Sequence, residues 1–158
     1  MKIVRVLGIV LGIAVLGFAA AWLMRSDPMG PISGRELRGT DGAYPSSWVF
    51  SEDAYTIAVE TRPDDPHSVT TIAWLHEGSL HIPAMNGSDK KWTGYVVADP
   101  RVRIKIGDLV FPAKLVRVEP ADPAPYLDSA AGKYGQMAES RESGEIPEDI
   151  WLFRVEPR

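Results

Sequence analysis

Side chains that can hydrogen-bond a ligand occur in two short stretches of this chain. They are basic, hydroxyl and amide side chains, namely Arg62, Ser68, Thr70, Asn86, Ser88 and Lys90. The last two lie at the expected start of a short helix, where free backbone amides and a lysine can together hold a phosphate group. Simpler roles compete, because an arginine after a strand commonly faces water and Ser88 suits a helix cap. The residue types alone therefore leave the use of these side chains open.

Three histidines are the other side chains with chemical potential: His67, His76 and His81. His76 and His81 flank a tight turn and can approach each other across it. A metal ion would need a third ligand, for which Asp65 and Glu77 are the candidates. Histidines in turns are more often solvated, so no metal site is predicted. Since the chain lacks cysteine, a nucleophile elbow and a P-loop, its catalytic residues stay unassigned.

Alternation of apolar and polar residues predicts the elements that must position these side chains. The predicted strands span 54–61, 69–75, 79–84, 101–106, 109–119 and 150–155, and the predicted helices span 89–98 and 122–139. Ser88 or Asp89 would cap the first of these helices. All connections are short and none is a long crossover. The order therefore predicts a mainly β (α+β) fold, a small six-stranded, mainly antiparallel barrel partly closed by two helices.

The beginning of the chain differs from the rest in composition. Residues 6–24 are apolar and uncharged, and Arg25 follows them. At about 1.5 Å per residue they would form roughly 28 Å of helix, close to the hydrocarbon thickness of a bilayer. Alternatives are a signal peptide cleaved after the alanines at 19–21 and a helix buried in a large core. The predicted divisions are a transmembrane anchor over 1–25, a linker over 26–47 and a barrel domain over 48–158.

Charge and topology rules predict the surroundings of the barrel. We expect a single-pass protein of the cell (inner) membrane, with residues 6–24 in contact with lipid. Short N-terminal tails usually stay inside, which favours a periplasmic or other extracytoplasmic barrel. The first 25 positions hold three of the 17 basic residues and none of the 21 acidic ones. The rest of the chain therefore has 14 basic and 21 acidic residues, a formal charge of −7. Nucleic acid is therefore not an expected partner.

The run from Lys90 to Glu119, KKWTGYVVADPRVRIKIGDLVFPAKLVRVE, resembles the central part of the split β-barrel flavin and deazaflavin reductases. This family includes the pyridoxamine-phosphate-oxidase-like proteins and the nitroreductase-like deazaflavin branch. The first matching feature is a short helix that Trp92 opens and Ala98-Asp99-Pro100 ends. Strands over 101–106 and 109–119 follow, with Gly107 in the turn between them. The likeness continues in the later helix with Lys133-Tyr134 and in the last strand, after Ile146-Pro147. The likeness covers roughly residues 48–156.

The resemblance implies a cofactor, FMN or deazaflavin F420, positioned for hydride transfer to a small acceptor. Trp74 or Trp92 could flank the ring system. The implied cofactor-binding residues are Arg62, Ser68, Thr70, Asn86, Ser88, Lys90 and Trp92. The protein would orient the cofactor, and the cofactor would supply the chemistry.

The turn at residues 62–68 departs from the family pattern. The deazaflavin branch has a Gly-Arg-Lys-Ser-Gly-like turn there, whereas this chain has RPDDPHS, in which Asp64 and Asp65 would repel a phosphate. Tyr95 stands where the family has an asparagine. The alternative is therefore a membrane-tethered barrel that binds a protein partner or small ligand with no cofactor. A homodimer is left open as its assembly.

Overall fold

The computed structural model describes residues 2–24, 26–137 and 149–158. Its strands are β1 Thr40–Asp41, β2 Ile57–Thr61, β3 His67–Thr71, β4 Trp74–His76, β5 Ser79–Met85, β6 Arg101–Ile106, β7 Leu109–Val118 and β8 Ile150–Glu156. Its helices are α1 Lys2–Met24, α2 Lys91–Ala98 and α3 Ala124–Lys133, and 3-10 turns span Val49–Asp53, Gly87–Asp89 and Gly135–Met137. The predicted α+β class is confirmed.

The strands form one eight-stranded sheet in the order β3-β2-β6-β7-β8-β5-β4, with β1 added to β7. Every pair is antiparallel except β1 with β7, which is parallel. This sheet corrects the predicted barrel, because it is not closed: β3 and β4 are its two edges. Only Ile72 and Ala73 separate these two strands in the chain, so the sheet curls until its edges approach. The Thr71 hydroxyl donates to the Pro83 carbonyl across this gap at 3.3 Å.

Two features correct the predicted count of six strands. The short β1 adds one strand, and the predicted strand 69–75 is divided between β3 and β4. The division lies at Ala73, whose amide donates to the Tyr134 hydroxyl at 3.2 Å and whose carbonyl accepts from Lys133 Nζ at 2.7 Å. These partners belong to the end of α3, far away in the sequence, so the local pattern could not reveal the break.

The core lies on the inner face of the curled sheet. In β6, Val102, Ile104 and Ile106 are buried, as their alternation with basic residues predicts. They pack in one cluster with residues of every other long strand and with α2. A second cluster joins α3 to β4 and β8 through Trp74, Ala130, Tyr134 and Leu152. The core thereby fixes α2 near one sheet edge and α3 against the other.

The segment of residues 26–42, called the strap here, lies across the sheet. Gly34 forms an isolated bridge with Ser68 of β3, and β1 at the end of the strap pairs with β7. Between these points Leu37 is buried, and its amide donates to Glu60 Oε2 at 2.5 Å. The Lys105 ammonium of β6 pairs with Asp27 at 2.6 Å. The predicted linker therefore contacts the sheet along most of its length.

The described apolar side chains of α1, from residue 7 onward, are exposed. Among the residues that the structure describes, none of the helices is both long and apolar enough to cross a membrane. The predicted anchor thus rests on the sequence alone, and its bounding residues 1 and 25 lie outside the described ranges. The predicted loop 142–149 and the end of the predicted helix 122–139 fall largely outside them as well.

Candidate functional site

A cleft of about 440 Å³ opens beside β3, between this edge strand, the end of β5 and the start of α2. The residues used below that line it are His67, Thr70, Met85, Lys90, Lys91 and Trp92. Its volume falls in the range of small-molecule sites, and such sites combine an apolar wall with a few polar groups. Trp92, Ala84 and Pro83 supply buried wall surface, and the two lysines stand exposed at the rim.

The start of α2 leaves its backbone donors available. Lys90 is the N-cap residue in an extended conformation, and no side chain caps the helix. Thr93, in the first turn of the helix, donates its hydroxyl to the carbonyls of Gly87 and Lys90, each at 2.6 Å. The first amides of a helix have no partner within the helix and carry partial positive charge. Together with Lys90 and Lys91 they form a positively charged corner.

Thr70 presents the edge of β3 to the same cleft. Ser68, two residues earlier, uses its amide and carbonyl to pair with Gly34 on the outer side of β3. In an antiparallel pair the backbone groups of residues i and i+2 point to the same side. The Thr70 amide and carbonyl therefore face outward as well, beyond the point where the strap ends its pairing. They can hydrogen-bond a ligand that lies along the edge.

His67 shows the sign of the local field. Burial is the first cause that lowers the pKa of its imidazole, and the nearby charges of Arg62 and Lys91 lower that pKa further. The ring packs against Tyr95 in an edge-to-face contact with centroids 5.4 Å apart. A neutral imidazole beside two cations indicates positive potential at this end of the cleft, which favours an anionic group on a ligand.

Three of the seven predicted cofactor-binding residues come together in this cleft, namely Thr70, Lys90 and Trp92. Trp92 is only 6% exposed and packs against Phe153 with ring centroids 5.5 Å apart. It therefore contributes wall surface, while most of its ring belongs to the core. Trp74, the other proposed ring partner, lies in the cluster against α3 and not in this cleft.

The other four predicted residues lie elsewhere. The Arg62 guanidinium pairs with Asp65 and stacks 4.5 Å from the centre of the Tyr95 ring, in a separate shallow recess. Ser88 donates to Asp149 Oδ1 at 2.9 Å and does not cap α2, which corrects the capping prediction. The remaining two are Asn86, which begins a 3-10 turn in the left-handed conformation, and Ser68, which is fully buried behind Gly34.

Sequence reasoning missed Lys91, Met85 and His67 as lining residues, together with Gly30, Pro31 and Ser33 of the strap. The adjacent Lys90 and Lys91 were visible as a basic pair at a helix start. Nothing local in the sequence shows that the strap returns to β3, since the Gly34–Ser68 bridge joins residues 34 positions apart.

The other two histidines belong to the opposite edge of the sheet. His76 and His81 contact each other with ring centroids 5.7 Å apart, as their positions around the turn predict, and Tyr126 of α3 packs on both. His76 Nδ1 lies 3.0 Å from the Ser129 hydroxyl. In the described part of the chain, no group of three or more acidic or histidine side chains is placed to hold a metal ion.

Comparison of the sequence with protein-family models and with curated proteins finds no match. Solved structures share the fold. One is a domain-swapped dimer at 22% identity, with a TM-score of 0.51 and coverage of 66% of this chain and 81% of the other. An F420-H2-dependent reductase, FDR-A, has 20% identity and a TM-score of 0.52. The match covers 76% of this chain and 99% of the other. A pyridoxamine 5′-phosphate-oxidase-like protein from Listeria innocua has 17% identity and a TM-score of 0.50. The match covers 68% of this chain and 86% of the other.

These similarities define the class of the fold. This chain has the fold of structures that include an F420-H2-dependent reductase and a pyridoxamine 5′-phosphate-oxidase-like protein, as the resemblance of the sequence predicts. At such identities the likeness shows the fold alone. What this chain binds has to be argued from its own cleft.

Proposed function

We propose that this protein binds a phosphate-bearing flavin or deazaflavin in the cleft beside β3 and serves as a reductase. The observation that carries the proposal is the juxtaposition of the Lys90–Lys91 pair and an uncapped helix start with an apolar wall and the Thr70 edge. The similar fold of an F420-H2-dependent reductase supports it.

The donors of the cleft suit such a ligand in kind and in number. The ammonium groups of Lys90 and Lys91 and the first amides of α2 would hold the phosphate, because a helix N-terminus and lysine both favour anions. The outward amide and carbonyl of Thr70 would pair with the polar edge of a ring system. Trp92 and Pro83 would contact its face and exclude water from one side.

The protein's part in the reaction would be to bind and to orient. When bound, a flavin or deazaflavin supplies hydride transfer by itself, so no side chain has to act as a nucleophile. His67 stands nearest to a proton-handling role, since its imidazole lines the cleft, although its lowered pKa makes the ring a weaker base than a free histidine. The acceptor substrate would approach from the open side of the cleft near the exposed Met85.

A second candidate function is ligand or partner binding with no cofactor chemistry. It is favoured by the turn after β2, where the guanidinium of Arg62 is already paired with Asp65. This arginine therefore does not reach the cleft, and a phosphate there would lack a contact that the family resemblance implies.

The location of the protein is proposed from the sequence alone. The apolar residues 6–24 would anchor it in the inner membrane, with the barrel outside the cytoplasm. A charged cofactor does not cross a bilayer unaided, so an outward barrel would hold its flavin permanently. A reporter enzyme fused to the C-terminus tests the topology, and activity only of a reporter that works in the cytoplasm would contradict the proposed side. A homodimer is the proposed assembly, and a similar structure that is a domain-swapped dimer supports it.

Titration of the full-length chain with FMN and with F420 tests the cofactor proposal. We expect saturable quenching of cofactor fluorescence, with affinity about tenfold weaker in the double variant Lys90→Ala/Lys91→Ala, since two charge-assisted contacts are lost. Lys114→Ala is the matched control, because this lysine pairs with Glu156 on β8, away from the cleft. If neither FMN nor F420 binds, only the second candidate function is left. If the wild-type chain, the double variant and Lys114→Ala bind cofactor equally well, this cleft is excluded as the cofactor site.

A further inference from the structure

The strap completes the cleft as its third wall. Gly30, Pro31 and Ser33 line the cleft opposite Thr70 and the α2 corner. Gly30 and Pro31 are the central residues of a tight turn, in which the amides and carbonyls of Met29 and Ile32 bond each other at 2.9 and 3.0 Å, and Ser33 follows this turn. The turn directs the strap away from β3 immediately before Thr70. The cleft is the space that this divergence leaves.

Two sets of contacts hold the turn in place. On one side, Gly34 pairs with Ser68 through two backbone hydrogen bonds of 2.8 and 3.2 Å. On the other, Asp27 accepts from Lys105 Nζ at 2.6 Å and from the Arg38 amide at 2.9 Å. The pairing with Lys105 lowers the pKa of the Asp27 carboxyl against the effect of burial, so the carboxylate stays charged at neutral pH.

Gly34 is required for this close approach. A Cβ on Gly34 would lie 2.3 Å from the Ser26 carbonyl oxygen, 2.6 Å from the Asp27 carbonyl carbon and 2.5 Å from Ser68 Oγ. Two of these are backbone atoms and cannot rotate aside. These backbone atoms belong to the strap itself, so a side chain at position 34 forces the strap backbone at Ser26 and Asp27 apart from residue 34 and also presses on the Ser68 hydroxyl, which disturbs the Gly34–Ser68 pairing. The same approach covers the Ser68 hydroxyl, which is fully buried and has no hydrogen-bond partner in the described part of the protein.

We propose that the strap is a ligand-binding element, in which the 29–33 turn contacts the bound ligand and the Gly34–Ser68 pairing sets its affinity. This inference rests on the proposed function, because it names a wall of the same cleft. The turn supplies the side facing the Thr70 edge, so a ligand held there is enclosed between backbone on both sides. Loss of that wall leaves the lysine corner intact but exposes the ligand to water.

The variant Gly34→Ala in the full-length chain tests this role. We expect its affinity for FMN or F420 to be about tenfold weaker, mainly through faster dissociation, as is usual when contacts are removed from a formed site. Gly132→Ala is the control, since a Cβ there meets no atom within 4 Å and the residue lies in α3. Circular dichroism establishes that both variants keep the fold.

Hydrogen exchange gives a second measurement that does not depend on how well the variant folds. In the wild-type chain, ligand should slow amide exchange in residues 29–33. Unchanged affinity in Gly34→Ala, or no ligand effect on exchange in 29–33, would overturn the role of the strap while leaving cofactor binding in place. Failure of the wild-type chain to bind either cofactor would overturn both proposals.

Discussion

The two edges of the sheet use lysine in different ways. At the β4 edge, Lys133 lies against the sheet and donates to the carbonyls of Ser51 and Ala73 at 2.8 and 2.7 Å. Burial lowers the pKa of its ammonium group, although the acidic Glu52 and Asp53 nearby raise it. At the β3 edge, Lys90 and Lys91 are exposed beside helix amides that no side chain caps.

The difference separates an edge that the rest of the fold covers from an edge that it leaves partly open. At β4, α3 and the 3-10 turn Val49–Asp53 cover the strand, and the Leu75 amide donates to Glu52. At β3, the strap covers Ser68 and then diverges, so the edge at Thr70 stays open. Donors already used by the protein hold the fold together, whereas donors left open are available to a ligand.

The largest expected effect is on stability at the β4 edge. Lys133→Met keeps the apolar stem and removes the ammonium, which leaves two backbone carbonyls without their charged donor. We expect the free energy of unfolding to fall by about 2–3 kcal/mol, because each hydrogen bond to a charged group is worth about 1.5–3 kcal/mol before relaxation. Urea denaturation measures it. Lys114→Met, which removes a partly exposed ion pair, should lower the free energy of unfolding by less than about 1 kcal/mol. Equal losses of stability in the two variants would contradict the structural role of Lys133.

A smaller effect is the pH dependence of stability, which both edges share. Burial, with His76 and Arg154 nearby, lowers the pKa of His81 in the folded chain despite its bond to the Ser79 carbonyl. The unfolded chain, with a histidine pKa of 6.5, then binds more protons, so stability is full above that pH and declines as the pH falls through it.

His81→Phe and His67→Phe separate the contributions of the two edges. Each should reduce the loss of stability between pH 7 and pH 5, because the pKa of both imidazoles is lowered in the folded state. Denaturation at a series of pH values measures the slopes. A steeper slope in either variant would contradict the assigned direction.

A still smaller effect concerns His67 alone. An anionic phosphate at the α2 corner would offset the charges of Arg62 and Lys91, so the pKa of His67 should rise when ligand binds. Titration of its ring protons by NMR, with and without FMN, measures this shift, and His81 is the internal reference. An unchanged pKa at His67 would place the phosphate elsewhere.

The smallest expected effect is at Arg62. Its guanidinium is paired with Asp65 and stacked on Tyr95, so Arg62→Ala should change FMN affinity by less than about twofold, a small difference on the scale of binding energies. Lys91→Ala is the comparison that should weaken binding more. If the order of the two variants were reversed, the arginine would have to leave Asp65 when ligand binds.

The fold was predictable where the pattern is local. The alternation in 101–106 and the two-residue turn at Gly107 and Asp108 specify a hairpin, which the structure forms with Ile106 opposite Leu109. The positive φ of Gly107 suits that turn. The break at Ala73 and the extra strand β1 were not predictable, because their partners lie far along the chain in α3 and β7.

The residues of the candidate site were likewise predictable only where the sequence signal is local. Lys90 and Trp92 were recognisable because a basic pair and an aromatic residue at a helix start form a local signal. Arg62 looked equally suitable, yet its guanidinium forms an ion pair with Asp65, three residues later. Ser68 has the right type and strand, but the strap covers it.

The sequence by itself determined the hydrophobic alternation, the turns, the charge balance and the apolar beginning of the chain, because each depends on neighbours within a few residues. Only the tertiary structure decided which polar groups remain open. Lysine has the same chemistry at 90, 91 and 133, but the packing of α3 uses one ammonium to bond the sheet, whereas the divergence of the strap from β3 leaves the other two beside a cleft. Long-range contacts make that difference.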